Sequence, residues 1–154
     1  MRQAMKRFLL LLIALLSFLP LWATRIYKGN SVYTSDVLYT WDGRRLYRGN
    51  STYSSDILCV WDAKHVYQGS TTYVSNIICT WDGKFVYRGN STYTSDIMVT
   101  WDGKRFYRGK STYTSDILAT YDGKHLYRGN STYTSDILYT FDGPVPPAIL
   151  VLLL

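Results

Sequence analysis

The sequence predicts an all-β protein built from tandem 20-residue β-hairpin repeats. Residues 25–144 are one 20-residue unit written six times, and the sixth copy, from position 125 to 144, reads HLYRGNSTYTSDILYTFDGP. Each copy places a run of β-branched and aromatic residues before an Asp-Gly (once Asp-Ala) pair and a second such run after it. This is the pattern of a β-hairpin. Because repeats of fixed period bury their apolar faces against neighbouring copies, we expect a repeat array and not an ordinary enzyme domain.

Residues 1–23 are predicted to be a secretory signal peptide. Residues 1–8 hold three cations and no acid, an apolar run follows over 8–22, and Ala23 offers a small residue for cleavage. This is the layout of a leader. As a helix, the apolar run would span only ~22 Å, which is short of the ~30 Å hydrocarbon core. We therefore expect cleavage, a mature chain without a transmembrane segment, and a location in the periplasm, at the cell surface or outside the cell.

Residues 24–144 are predicted to form the six-copy hairpin domain. We number each copy from 1 to 20, beginning at Arg25; positions 3 and 9 are always Tyr, 5 is Gly, 11 is Ser, 17 is aromatic and 18 is Asp. The Asp-Gly pair at positions 18 and 19 favours a type I′ turn, in which both central residues have positive φ. Ala63 replaces the glycine once, so that turn is expected to be strained or of another type.

The turn also sets which residues share a face. With Asp-Gly at its centre, positions 13, 15, 17 and the next copy's 2 lie on one face, and positions 14, 16 and 3 on the other. Both faces are substantially apolar and no amphipathic helix is available to cover either. The hairpins are therefore expected to cover each other, and the tyrosine at position 9, in the linking segment, to reach back to the core.

Two arrangements can do this: a solenoid-like superhelix of stacked hairpins, which we expect, or a closed propeller-like or barrel-like antiparallel array. Equivalent residues lie ~4.8 Å apart in stacked rungs but roughly 9.6 Å apart in a meander. Cys59 and Cys79 both occupy position 15, in adjacent copies. A disulfide needs Cα atoms about 4.4–6.8 Å apart, so rungs permit this bond, a flat meander forbids it, and the sequence leaves it open.

The C-terminal residues 145–154, VPPAILVLLL, form a Pro-rich and apolar tail. Its apolar stretch is too short to span a bilayer as a helix. We expect it to lie as a final strand against the last repeat, as an apolar cap.

Little catalytic or metal-binding chemistry is present. His65 and His125 both hold position 1, where Arg and Phe also occur, and the chain has no Glu. The Ser-Asp pairs at positions 11 and 12 are typical of turns. The carboxylates at positions 12 and 18 recur only once every 20 residues, a spacing that matches no calcium-binding loop. We therefore expect no enzyme activity, catalytic residue, metal or cofactor.

Charge argues against a nucleic-acid partner. The full chain carries a net charge of +6, but three of its 17 Lys and Arg lie in the leader, so that 14 remain against 11 Asp, a net of +3. Those cations and anions are interleaved along each repeat, whereas a nucleic-acid surface needs clustered cations.

Aromatic periodicity is the clearest functional signal. Rings at position 17 are expected in the core, whereas repeated tyrosines could line grooves that bind apolar ligand faces and cations. The candidate ligand-binding residues are the tyrosines at positions 3 and 9: Tyr27, Tyr47, Tyr67, Tyr87, Tyr107, Tyr127, Tyr33, Tyr53, Tyr73, Tyr93, Tyr113 and Tyr133.

The unit Ile/Leu-Tyr-Arg-Gly-Asn-Ser-Thr-Tyr-Thr-Ser-Asp-Ile-Leu-Tyr-Thr-Phe-Asp-Gly resembles that of small exported bacterial proteins built from tandem 20-residue repeats. The resemblance covers residues 25–143 and implies no mechanism. In its period and its aromatic hairpins the chain is more loosely similar to choline-binding cell-wall repeats. Their Trp-Tyr-Tyr signature is absent here, so no ligand residues carry over.

Together these observations predict an exported, non-enzymatic repeat protein with a structural or adhesive role at the bacterial cell surface or in the periplasm. The alternative is a carbohydrate- or cell-wall-binding module that uses aromatic grooves between repeats. The expected partners are cell-wall or surface glycans, or further copies of the chain.

Overall fold

The computed structural model describes residue 3 and residues 22–154, and nearly all of the predicted leader therefore lies outside the described residues. The strands are β1 (Thr24–Lys28), β2 (Val37–Trp41), β3 (Arg45–Arg48), β4 (Ile57–Trp61), β5 (His65–Gln68), β6 (Ile77–Trp81), β7 (Phe85–Arg88), β8 (Ile97–Trp101), β9 (Arg105–Arg108), β10 (Ile117–Tyr121), β11 (His125–Arg128) and β12 (Ile137–Phe141). Short 3-10 helices cover Thr34–Asp36, Ser54–Asp56, Val74–Asn76, Thr94–Asp96, Thr114–Asp116, Thr134–Asp136 and Val151–Leu153, and one α-helix, α1, covers Pro147–Leu150. None of the helices in the described part of the chain has the length and apolarity needed to cross a membrane.

The twelve strands close into one antiparallel barrel. Each strand pairs with its neighbours in sequence, and β1 pairs with β12 to complete the ring. The open superhelix that we expected is therefore wrong, and the closed array, the alternative, describes the fold. The physical reason is that β1, the first strand of the repeat domain, is the second half of a hairpin and β12, its last strand, is the first half of one. Pairing these halves leaves no open sheet edge.

The tight turns differ from the type I′ turn that Asp-Gly predicts. In the first one the N–H of Asp42 donates to the carbonyl of Arg45 (3.2 Å), so the central residues are Gly43 and Arg44. Gly43 has φ +95°, and among the described residues Ala63 (+75°) is the sole non-glycine with a positive φ. The aspartate therefore flanks each turn, and its carboxylate is free to accept hydrogen bonds from the turn backbone.

The inner face of the barrel carries positions 2, 15 and 17, which form the hydrophobic core. This agrees with the expected alternation except near position 13. A bulge there sets Ile57 opposite Tyr47 and Cys59 opposite Leu46. As a result, position 14, for example Leu58, packs against the core, while position 13 does not.

The outer face of the wall is covered by the linking segments. We call positions 5–12 of each copy the outer loop. At its start the N–H of Gly49 donates to the carbonyl of Leu38 (2.7 Å), and the Thr40 hydroxyl donates to the carbonyl of Gly49 (2.7 Å). The chain thus turns back over the wall at position 5. This cover explains why Tyr at position 3 and Thr at position 16 are buried although they point away from the core.

The C-terminal tail fills the barrel, and the expectation of a capping strand is wrong. Ala148, Ile149 and Leu150 of α1 have no exposed surface and belong to the core. Val145 lies near the tight turns, whereas Leu153 lies at the opposite end of the wall. The tail therefore runs through the barrel as a plug, because the inner face, with no second sheet against it, needs an apolar filler.

The two cysteines are free and buried. Strand β5 lies between their strands, β4 and β6, so the meander keeps Cys59 and Cys79 about two strand spacings apart. The disulfide that stacked rungs would permit is accordingly not formed. Burial raises the pKa of the Cys59 thiol to about 12 and that of Cys79 to about 11, which makes both unreactive at neutral pH.

Candidate functional site

The tyrosines at position 3 lie inside the hairpins and have a structural role. Their exposed fractions are 4–7%. In five of the six the hydroxyl donates to the aspartate of the preceding tight turn, as Tyr67 does to Asp62 at 2.7 Å. The sixth, Tyr27, donates to Asp142 across the ring closure. Half of the candidate set is therefore largely buried, although Tyr27 also lines one of the clefts described below: Tyr27, Tyr47, Tyr67, Tyr87, Tyr107 and Tyr127.

Four of the turn aspartates, Asp62, Asp82, Asp102 and Asp122, have a lowered pKa. Partial burial acts to raise the pKa of Asp62, but hydrogen bonds from two backbone N–H groups and the Tyr67 hydroxyl outweigh it and lower the pKa to about 2. The bond to Asp62 is in turn the main reason why the pKa of Tyr67 is raised. A tyrosine that donates to a carboxylate and has a raised pKa is a poor nucleophile. Each cluster thus holds a turn together.

Both histidines join such clusters. Nδ1 of His65 lies 3.4 Å from Oδ2 of Asp62, and Nδ1 of His125 lies 3.3 Å from Oδ2 of Asp122. The equivalent position in other copies is Arg or Phe, so the cluster does not depend on an imidazole.

The tyrosines at position 9 are the exposed half of the candidate set. The exposed fractions of Tyr33, Tyr53, Tyr73, Tyr93, Tyr113 and Tyr133 are 70–77%. The expectation that they reach back to the core is wrong, because the inner face is already filled by the tail. All six rings extend into solvent at equivalent positions around the barrel.

The polar side chains of each outer loop fix the backbone of the loop that carries the exposed tyrosine. In the second copy, the Ser51 hydroxyl donates to Oδ2 of Asp56 (2.5 Å), and the N–H of Tyr53 donates to the Ser51 hydroxyl (3.1 Å). The third copy replaces this pair by Thr71 and Asn76, which hydrogen-bond to each other at 2.6 Å. The loops are therefore pre-formed, which lowers the entropy cost of binding through them.

A second feature is a set of clefts at the end of the barrel where the tight turns lie, which we call the turn end. Three clefts occupy related positions, with volumes of about 820, 460 and 520 Å³. The last is lined by Gly83, Lys84, Thr100, Trp101, Asp102, Gly103 and Thr112. Each combines residues from three successive copies around the ring.

Sequence reasoning missed these clefts, although one signal for them was present. Position 20 is a cation in five of the six copies, and position 17 is always aromatic. Only the fold shows that position 20 of one copy lies beside position 17 of the next copy and position 8 of the copy after that, as Lys84, Trp101 and Thr112 do.

A comparison with known proteins identifies the family. No curated protein and no solved structure matched the chain. One family model, described as "6-fold beta flower protein", matches residues 24–152. That range includes all twelve strands and most of the plug, and its six-fold description agrees with the six hairpins of the closed ring. The chain belongs to the 6-fold beta flower protein family.

Proposed function

We propose that the protein is an exported, non-catalytic adhesive ring that binds a repetitive surface through its six exposed tyrosines. The observation that supports this most is the 70–77% exposure of the position-9 rings on six equivalent outer loops. A single exposed tyrosine is common on protein surfaces, but six at equivalent positions form a repeated aromatic surface, and tyrosine is enriched at interfaces. Export rests on the leader-like residues 1–23, and surface glycans are the proposed partners.

Six equal sites favour binding by avidity. When one ring has engaged, the others act at a high effective concentration, so that weak single contacts add up to strong attachment. Adhesion of this kind to a repetitive surface needs repeated contacts and no enclosed site.

The test is attachment of the intact protein to purified bacterial cell walls. Tyr→Ala changes at position 9, introduced in one, three and six copies, should lower retention progressively and abolish it at six. Tyr→Phe changes at the same six positions keep the ring and should preserve retention. As a matched control, Thr34, Thr94, Thr114 and Thr134, the exposed neighbours at position 10, are changed to Ala. Retention that survives the sixfold Tyr→Ala change would refute the proposal.

The clefts at the turn end favour a second candidate, a carbohydrate- or cell-wall-binding module. A half-buried ring from position 17 beside hydroxyl and amine groups suits the apolar face and the hydroxyl groups of a sugar. This candidate predicts binding that survives loss of the position-9 rings. A glycan array probed with the sixfold Tyr→Ala variant separates the two.

A further inference from the structure

We propose that the turn-end clefts bind saccharide units that carry a carboxylate, with the cation at position 20 as the anchoring group. The inference rests on the second proposed function and assigns its ligand class and residues. The cleft around Lys84 and Trp101 shows the argument most fully.

Lys84 is the charged group that this cleft offers to a ligand. Among the described residues, ion pairs within 4.0 Å involve Arg45, His65 and His125, and none of these pairs includes Lys84. The ammonium lies 5.2 Å from the centre of the Phe85 ring. An amine on a flexible stem, held over a ring and without a carboxylate partner, suits an incoming anion.

The carboxylate in the same cleft is already used inside the protein. Oδ1 of Asp102 accepts the N–H groups of Lys104 (2.8 Å) and Arg105 (2.7 Å), and Oδ2 accepts the Tyr107 hydroxyl (2.8 Å). Three donors thus take up much of the hydrogen-bonding capacity of this carboxylate, whereas the Lys84 ammonium keeps its N–H donors for a ligand.

The aromatic wall comes from Trp101. Its ring packs against Phe106, with centroids 4.3 Å apart, yet the residue is only half-buried and also lines the cleft. An indole fixed by the core on one side presents a rigid apolar surface on the other, against which the C–H face of a pyranose can pack. The Thr112 hydroxyl, from the outer loop, completes the lining.

The pairing of a position-20 cation with a position-17 ring recurs in the cleft that Lys124 and Phe141 line, whereas the cleft that Arg25 and Asp142 line contains neither. Arg44, Lys64, Lys84, Lys104 and Lys124 hold position 20 in successive copies, and neighbouring sites lie roughly 9.6 Å apart along the wall. A polymer of acidic sugars can therefore engage several clefts at once, which raises its avidity above that of one unit.

Two variants of the intact protein, each of which loses four positive charges, test the assignment. In the first, Lys64, Lys84, Lys104 and Lys124 are changed to Gln. In the second, Arg48, Arg88, Arg108 and Arg128 at position 4, at the other end of the barrel, are changed to Gln, a residue that Gln68 already shows to be accepted there. Trigalacturonate is the acidic probe and maltotriose the neutral one, and binding is measured by calorimetry and tryptophan emission.

Trigalacturonate should bind and perturb tryptophan emission, and maltotriose should bind about tenfold more weakly or less. The lysine variant should lose about tenfold in affinity, the effect of one charge-assisted hydrogen bond, and the arginine variant should stay within about twofold. Equal losses in both variants would show general attraction of anions and overturn the inference. Equal binding of maltotriose would also overturn it while leaving carbohydrate binding standing, and no binding of either sugar would overturn both.

Discussion

The five hairpins closed by a tight turn differ from the sixth, in which β12 and β1 come from opposite ends of the repeat domain. At the turn after β2, the Arg45 N–H donates to Oδ1 of Asp42 at 2.6 Å and the Tyr47 hydroxyl to Oδ2 at 2.9 Å. At the β12–β1 junction, which we call the seam, the Arg25 N–H donates to Oδ1 of Asp142 at 2.6 Å. The Tyr27 hydroxyl lies 3.3 Å from Oδ2 there. Two of the three donors to a turn aspartate thus recur at the seam, whereas the third, the N–H of Arg44 that donates to Oδ1 of Asp42 (2.8 Å), has no counterpart there among the hydrogen bonds of the described residues.

The comparison teaches that side chains, and not chain connectivity, specify the hairpin geometry. The seam still has to bring together residues more than a hundred positions apart, an entropy cost that a two-residue turn avoids. Its own local support is the hydrogen bond from the Thr24 hydroxyl to the carbonyl of Pro144 (3.2 Å). It also opens into the largest of the three turn-end clefts. The seam is therefore the expected site of first opening.

The largest effect is expected from the plug. Ile149→Ala should lower the free energy of unfolding by about 2–5 kcal/mol, because it leaves a cavity at a fully buried position. If the plug holds the ring closed, the amides of β1 should lose more protection from hydrogen exchange than those of β9. Leu154→Ala, at a residue 46% exposed, is the control and should change stability by less than about 0.5 kcal/mol. A stable Ile149→Ala variant would show that the ring closes without the plug.

The next largest effect is expected from the aspartates, at the seam (Asp142) and at a tight turn (Asp102). Asp142→Ala and Asp102→Ala each remove hydrogen bonds to a charged acceptor and should each cost about 1–3 kcal/mol. In Asp142→Ala, the amides of β1 should lose protection from hydrogen exchange equivalent to most of that cost of about 1–3 kcal/mol, because no turn ties that strand to β12. In Asp102→Ala, β9 remains tethered to β8 and should keep most of its protection. Equal loss of protection in the two variants would contradict the special status of the seam.

The sequence predicted the units of this fold much better than their assembly. The period, the hairpins and the core positions 2, 15 and 17 follow from composition and alternation. Closure does not follow, because it depends on β1 being half a hairpin that matches β12 at long range. The plug was likewise missed: ten apolar and proline residues are compatible with either a strand or a helix, and only the empty interior of a closed ring decides between them.

The sequence predicted that tyrosines form the candidate site, but only half of the named tyrosines, those at position 9, are exposed. Tyrosines at positions 3 and 9 look alike in the sequence, but one faces a turn aspartate under an outer loop and the other faces solvent. The difference arises from the chain reversal at position 5, which no periodicity reports. The clefts depend on residues from three copies, so that no single repeat contains the pattern.

A smaller effect on the free energy of unfolding is expected from the threonine at position 16. At the seam the Thr140 hydroxyl donates to the carbonyl of Gly29, and inside the chain the Thr100 hydroxyl donates to that of Gly109, both at 2.7 Å. Changing either threonine to Val should cost about 1 kcal/mol, measured by urea unfolding. A clearly larger cost at the seam would show that this bond helps to hold β1. The second copy already has Val60, so Val60→Thr should give a small gain.

The smallest effect on the free energy of unfolding is expected from backbone strain, which is present in a tight turn and not at the seam. Ala63 has φ +75°, whereas Gly143, its equivalent beside the seam, is not among the residues with positive φ. A left-handed conformation costs alanine roughly 1–2 kcal/mol, and glycine gives back about 0.4–1 kcal/mol through the greater freedom of its unfolded chain. Ala63→Gly should therefore stabilise the protein by about 0.5 kcal/mol, and Gly83→Ala should destabilise it by a similar amount, both read from urea midpoints. Because the strain lies within a turn, neither change should alter hydrogen exchange in β1, and a change there would mean that turn strain is transmitted to the seam.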